Sequence, residues 1–359
     1  MSATFKFDNI RISGLAAVVA ENEIRIDDEQ AYYPDAEALQ RLKKTIGFDR
    51  RRVANSTTTT ADMCRQAASR LMQKMRLSPD DFEAIISVTQ TPDYYMPGNA
   101  HIIHRDLGFP QTCIAYDLEF GCSGFINGLF MACMMAEKGI KRVLLLTGDT
   151  LSKIINIKNR ADAPVFGDAG SAAVIEVSKE KVPSYFCLCS DGRGADMMIK
   201  KAGAYRIPTS EETQKEIADS KGNISSQENF FMNGFEVFNF TMTEQPKLLH
   251  EILRFSNKTP DEIDYFVMHQ ANKYIVETIA KKSGISLDKT PYRTFSEFGN
   301  QSSASIPVTI CNELADDLNK NIRNVLLQGF GIGLSWGACQ LQFDRPLILK
   351  PQIYGEKNE

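Results

Sequence analysis

Cys122, His269 and Asn300 have the residue types and local settings that acyl-thioester chemistry needs. Gly121 allows a tight turn before Cys122, and Ser123-Gly124-Phe125 opens an apolar run with helical spacing. A thiol at a helix N-terminus lies at the positive end of the macrodipole, which favours thiolate. Such a position can bring a cysteine pKa from roughly 8.5 down to between about 3.5 and 7.5. For a single cysteine, a small buried residue at a crowded turn is the better reading, so its neighbours decide. His269 directly follows the expected strand Tyr265 to Met268 and precedes an expected helix from Lys273. That is a strand's C-terminal end, where α/β sheets gather ligand-facing groups. The cysteine would attack a thioester, while His269 and Asn300 would donate hydrogen bonds to a carbonyl oxygen gaining charge. One such donor is worth about 2.7–4 kcal/mol of barrier.

Asn300 enters through a repeat. Glu119-Phe120-Gly121-Cys122 matches Glu297-Phe298-Gly299-Asn300, which puts Asn300 at the second copy's equivalent of Cys122. Two further segments match in the same order, Ser78 to Ile86 with Thr259 to Val267 and Ile140 to Leu145 with Ile322 to Leu327. The separations are 181, 178 and 182 residues, far too long a period for a solenoid. The chain therefore reads as two copies of one α/β unit, residues 1–180 and 181–359, with a site built between them. Expected strands are Ala84 to Val88, Val143 to Leu146, Ala172 to Ile175, Tyr265 to Met268 and Val325 to Leu327. Expected helices are Ala61 to Met75, Gly124 to Lys138, Lys273 to Lys282 and Ala304 to Asp317. This alternation implies mainly parallel sheets covered by helices. Thr147-Gly148-Asp149 and Gly167-Asp168-Ala169-Gly170 read as turns. The polar stretch 191–229 breaks the rhythm as a surface excursion that could cap the site entrance, and Gly355 to Glu359 reads as a frayed tail.

Composition excludes several classes. A formal charge of −4 gives no basic field for nucleic acid. Eight cysteines show no CxxC pair, as expected of reduced thiols. The longest weakly polar stretch, Gly124 to Ala136, is shorter than the ~20 residues of a membrane span. No charged-then-apolar leader opens the chain, and a soluble, cytoplasmic protein without membrane partners is expected. Gly329-Phe330-Gly331-Ile332-Gly333 lacks the following helix that a dinucleotide site requires, since Ala338 to Gln342 reads as another strand. His101 and His104 read as helix surface, Cys187 and Cys189 as packing, and no metal site is expected. A hydrolase elbow would need Gly at position 120, where Phe stands.

Five blocks carry a family likeness that runs nearly end to end. His269-Gln270-Ala271-Asn272 and Phe298-Gly299-Asn300 with Ser302-Ala304-Ser305-Ile306-Pro307 resemble the HQAN and GN-x-SAAS-[VI]-P motifs of β-ketoacyl-acyl carrier protein synthase III, a thiolase-superfamily condensing enzyme. Phe166-Gly167-Asp168-Ala169-Gly170 is similar to its FGDGAG, Gly331 to Gly337 to its GGGFTWG, and Met232 to Phe238 to its MxGxEVF. The resemblance implies a thiolase-like α/β fold, two duplicated halves layered α-β-α-β-α, in a homodimer. It implies that Cys122 takes an acyl group from a coenzyme A or carrier-protein thioester, with no tightly bound cofactor. Malonyl-acyl carrier protein would then decarboxylate with its thioester oxygen held by His269 and Asn300, and the carbanion would attack acyl-Cys122. The backbone N–H groups of Cys122 and Ile332 would form the second oxyanion hole, beside Phe330. Arg160 matches a nucleotide-contacting Arg, Gly234, Phe238 and Asn272 match residues lining the pantetheine tunnel, and Lys281-Lys282 matches a basic pair that docks the carrier. Arg41 and Thr45 stand where the family clamps adenine with Trp and Arg, and Tyr274 replaces a docking Arg. Met96 replaces a Phe that bounds the partner's acyl pocket, so a chain other than acetyl could enter. Asn300 favours decarboxylative condensation over acyl transfer to an amine or hydroxyl. The intact triad argues against a non-catalytic subunit.

Overall fold

The computed structural model describes residues 2–33 and 35–356, so residues 357–359 of the expected tail lie outside the described residues. Two sheets are built from the apolar runs. The strands are β1 (Ala3–Phe7), β2 (Ile10–Val19), β3 (Ala84–Val88), β4 (Ile114–Leu118), β5 (Arg142–Asp149) and β6 (Ala169–Val177), then β7 (Ser184–Ser190), β8 (Tyr265–Met268), β9 (Ile322–Gly331), β10 (Ser335–Asp344), β11 (Leu347–Ile348) and β12 (Gln352–Ile353). The first sheet runs β11-β2-β6-β5-β3-β4, with β12 also on β2, and the second runs β1-β7-β10-β9-β8. Both repeat one pattern: antiparallel β2/β6 and β6/β5 then parallel β5/β3, and antiparallel β7/β10 and β10/β9 then parallel β9/β8. The repeated Pro-Asp segments fold alike as well. Ser78 and Thr259 each cap a short turn through a reciprocal bond with Asp81 and Glu262.

The sheets are more antiparallel than strand–helix alternation implies. β9 returns as β10 after only Ile332–Leu334, and such a short connection cannot make a parallel crossover. The two expected turns are also displaced. Gly148 and Asp149 belong to β5 and pair with Gly170 and Ala169 of β6. Gly148 and Gly170 let helix α2 (Thr60–Met75) lie close, because a Cβ at Gly148 would stand 2.9 Å from the Cys64 sulfur. The termini cross over: β1 lies in the sheet of residues 181–344, while β11 and β12 extend the sheet of residues 10–177.

Helix α4 (Gly124–Glu137) lies between the sheets with Phe125, Ile126, Leu129, Ala132 and Cys133 buried, which is why it is apolar almost all round. Its counterpart is the helical run Ser302–Leu318, which includes one π-turn at Ile310–Leu314. On the outer faces, α2 and α3 (Asn99–Leu107) cover the first sheet, and α5 (Gly234–Phe255) and α6 (Lys273–Lys282) cover the second. Five layers result. Residues 191–229 form short pieces, including a strand Met198–Lys200 paired with Phe230–Met232 and a small hairpin. Among the described residues no helix is long and apolar enough to cross a membrane.

The central layer is seated by aromatic packing: Phe186 of β7 meets Phe7 of β1 at 5.6 Å and Phe130 of α4 at 5.8 Å, ring to ring. Phe186 is fully buried. Phe186→Ala should therefore cost about 3–5 kcal/mol, seen as a lowered urea midpoint with the fold retained. A loss below about 1 kcal/mol would contradict this packing.

Candidate active site

Cys122 lies just before α4, at the seam where strand β9 of the second sheet passes overhead. A Cβ on Gly331 would stand 2.8 Å from the Cys122 Cβ and 3.3 Å from Sγ, and one on Gly329 would meet the Cys122 carbonyl at 3.1 Å. Any side chain there would displace the cysteine. Phe330, between these glycines, turns the other way and packs edge-on against the His269 ring at 5.3 Å. His269 extends β8, its N–H donating to Gln328 O at 2.7 Å. Its ring is buried, with Nδ1 2.6 Å from Ser305 Oγ.

Asn300 is held by backbone bonds to the first half, donating to Val165 O at 2.8 Å and accepting from Gly167 N at 3.0 Å. Gly299 before it needs φ +77° and has Val165 O and Gly167 N each 3.0 Å from where a Cβ would be. The Asn300 Oδ1 accepts from Ser302 N at 2.9 Å, which leaves the NH2 as the donor end of the carboxamide. Ser302 Oγ lies 3.8 Å from Cys122 Sγ. The short segment 300–305 thus touches all three groups: the Asn300 carboxamide, the thiol and the imidazole.

Electrostatics depart from the helix-dipole expectation. Burial pushes the Cys122 thiol up to about 12, opposed by its bond to Ser302 and reinforced by Asp149. Desolvation of the thiolate outweighs the attraction of the α4 N-terminus, because the thiol is sealed under β9. Burial also brings His269 down to about 3, so its imidazole is neutral across the physiological range. The resting pair is a neutral thiol and a neutral imidazole.

Asp149 was not legible as a site residue. It ends β5 wholly buried, with its carboxylate accepting from Ser303 N at 3.1 Å and Ser303 Oγ at 2.7 Å. An acidic residue closing an apolar strand at its C-terminal end was the available signal.

Ile332 follows Gly331 and, with Gln90, Leu151, Met198 and Phe230, lines a cavity of about 840 Å³. Met198 lies within the 191–229 excursion and Phe230 just after it, so the excursion forms part of the wall. The other matched residues have separate partners. Asn272 caps α6 through Ile275 N at 2.8 Å, Phe238 stacks on Tyr274 at 6.1 Å, and Gly234 begins α5 at the surface. Arg160 donates to the Lys221 carbonyl of the excursion. Arg41 bonds Glu37 of its own helix at 3.0 Å, and Thr45 is exposed. Met96 is 74% exposed. Lys281 and Lys282 project from the last turn of α6, about 14 Å along its axis from Asn272.

Comparison with known proteins agrees along most of the chain. Residues 116–192 match the family model described as 3-oxoacyl-[acyl-carrier-protein (ACP)] synthase III, and residues 253–343 match the model of its C-terminal part. A putative 3-oxoacyl-[acyl-carrier-protein] synthase 3 of Campylobacter jejuni is 36% identical over 340 residues, 94% of this chain and 95% of that protein. The β-ketoacyl-[acyl-carrier-protein] synthase III of Clostridium tetani is 35% identical over 84% of this chain and 89% of its own length. The crystal structure of a 3-oxoacyl-(acyl-carrier protein) synthase from Burkholderia xenovorans superposes with a TM-score of 0.92 at 33% identity, covering 98% of this chain and 99% of that one.

The raised thiol pKa sets an alkylation profile. With a pKa near 12, on the order of 10⁻⁴ of Cys122 is thiolate at pH 8. Iodoacetamide labelling of Cys122, followed by peptide mapping, should still be accelerating at pH 10. A plateau at or below pH 8 would show a thiolate stabilised by the helix terminus instead.

Proposed function

We propose, from the premise that the chain belongs to the 3-oxoacyl-[acyl-carrier-protein] synthase III family, that Cys122 carries the acyl group while His269 and Asn300 activate the malonyl extender. The protein is a condensing acyltransferase of fatty-acid biosynthesis. The observation that carries the residue roles is the 300–305 segment, which binds thiol, imidazole and carboxamide into one unit.

In the first half-reaction Cys122 Sγ bonds to the carbonyl carbon of an acyl thioester, on coenzyme A or carrier protein. The donor C–S bond breaks, and the thiol proton ends on the departing sulfur. The neutral starting pair means that proton removal accompanies attack rather than preceding it. The N–H groups of Cys122 and Ile332, at the point where β9 crosses the thiol, suit the oxygen that gains charge. In the second half-reaction malonyl-acyl carrier protein loses CO2, and its electron pair passes to the thioester oxygen as an enolate. In the tautomer in which Nδ1 accepts from the Ser305 hydroxyl, His269 carries its hydrogen on Nε2, and Asn300 offers its NH2. Two donors in a dry pocket suit that oxyanion. The enolate carbon attacks acyl-Cys122, giving the β-ketoacyl thioester and a Cys122 thiolate that takes up a proton. Each substrate brings its own thioester, so the steps call for no resident cofactor.

Lys281 and Lys282, exposed on α6, suit an acidic carrier protein. Gly234, Phe238 and Asn272 would line its pantetheine tunnel, and Arg160 would contact the nucleotide of a coenzyme A donor. The edge strand β4 exposes Ile114 and Tyr116 beside Tyr94, Tyr95 and Met96, an unpaired edge with an apolar flank that suits a second copy. Tyr94 and Tyr95 also line the 840 Å³ cavity, so in such a dimer Met96 of one protomer would help to close its partner's cavity. Such a pathway enzyme would work in the cytoplasm with its carrier.

Incubation with a series of acyl-coenzyme A and acyl-carrier thioesters should give a mass adduct on Cys122. Cys122→Ala should give none, and Asn300→Ala should load but lose on the order of 10²–10³-fold in malonyl decarboxylation. Absence of an adduct with every donor, at intact thiol, would end the reading. Separately, Tyr116→Asp should turn a sedimenting dimer into a monomer, and a dimer unaffected by it would rule out β4 as the interface.

A further inference from the structure

We propose that Asp149 is a positioning residue that ties the wall of the cavity beside Ile332 to the 300–305 segment and thereby fixes the geometry of malonyl activation. The inference rests on the roles given above to Asn300 and His269.

Asp149 is fully buried, and its hydrogen-bond partners are neutral. Its Oδ1 accepts from Thr89 Oγ1 at 3.0 Å, Gln90 N at 2.8 Å and Thr91 Oγ1 at 3.3 Å. Its Oδ2 accepts from Ser303 N at 3.1 Å and Ser303 Oγ at 2.7 Å. Burial raises its pKa while these donors oppose the rise. A carboxyl group buried this way is costly unless its oxygens find partners, and here both oxygens are engaged. The two sets of donors belong to different places. Thr89 to Thr91 follow β3, and Gln90 and Thr91 line the cavity beside Ile332. Ser303 sits between Ser302, which meets the thiol and the Asn300 carboxamide, and Ser305, which meets His269.

Ser302 adopts φ +50°, a left-handed conformation that a non-glycine residue keeps only when its surroundings impose it. The following residue is clamped at both its N–H and its hydroxyl by Asp149, which supplies that imposition. Gln90 fits the same scheme. Its backbone is fixed by Asp149 and its side-chain oxygen lies 2.3 Å from where a Cβ on Gly121 would be, so the turn bearing Cys122 packs against it. One carboxylate therefore holds the cavity wall and the extender-activating segment in register.

The test uses the full chain with Asp149→Asn, Ser303→Ala and the double variant. Asparagine keeps the shape but turns one acceptor into a donor facing the Ser303 N–H or the Gln90 N–H. Cys122 acylation is timed by intact mass, and malonyl decarboxylation is measured on pre-acylated enzyme with kcat and KM resolved. Asp149→Asn should lower decarboxylation kcat on the order of 100-fold, well beyond the change it makes in the acylation rate, while KM stays within about threefold. Ser303→Ala should lower kcat about 5–10-fold, as expected for one lost hydrogen bond. The double variant should resemble Asp149→Asn, since the two changes break one contact. Acylation and decarboxylation falling in equal proportion would overturn the proposal, because a general structural role acts on both, and so would near-normal kcat in either single variant. Should Asp149→Asn fail to fold, the kcat of Ser303→Ala decides alone. If Asn300→Ala itself leaves decarboxylation intact, the site reading fails; if Asn300→Ala is inactive and Asp149→Asn is not, only this inference does.

Discussion

The site depends on how closely strand β9 approaches Cys122. Two glycines, at 329 and 331, let a backbone from the second sheet lie where side chains would stand 2.8 to 3.1 Å from the cysteine's own atoms. Everything that sets the spacing between the sheets therefore bears on the thiol. The apolar helix α4, the counterpart run Ser302–Leu318 and the aromatic cluster around Phe186 fill the central layer and fix that spacing. The crossing termini bind it from outside, since β1 and the pair β11 and β12 each join the sheet formed mostly by the other half.

Enclosure has an electrostatic consequence. The cover that positions β9 also removes water from Cys122 and His269, and each responds by favouring its uncharged form. A neutral imidazole suits the oxyanion-donor role proposed for His269, because an N–H can then donate without carrying a buried charge. In the proposed reaction, a neutral thiol keeps the nucleophile quiet until a thioester carbonyl arrives. Dipole and burial compete at Cys122, and burial wins because the thiol lies beneath a strand rather than at an open helix end.

The halves contribute unlike parts to the seam. The first supplies the thiol and the buried carboxylate of Asp149, and the second supplies imidazole, carboxamide and the overlying strand. Residues 300–305 join them, with Ser302, Ser303 and Ser305 meeting the thiol, Asp149 and His269 in turn. Three serines in one short run make three different connections. This is possible because the backbone passes from a left-handed residue at Ser302 straight into a helix that starts at Ser305.

The duplication and the placement of Cys122, His269 and Asn300 at the ends of strands and starts of helices could be read from the chain itself. Apolar runs, repeated frames and the order of motifs are local properties, and α6 at Lys273–Lys282 and β8 at Tyr265–Met268 fall where that pattern puts them. Tertiary structure decided the rest. Thr147-Gly148-Asp149 carries the signal of a turn, yet its pairing with β6 makes it strand, and only burial reveals its carboxylate as a junction. The sense of β10 was likewise set by a short connection rather than by strand–helix rhythm. The protonation of Cys122 turned on enclosure by residues about 200 positions away, which no local reading of a helix N-terminus contains. Sequence spacing names the groups that can react; the charge each one carries depends on what packs over it.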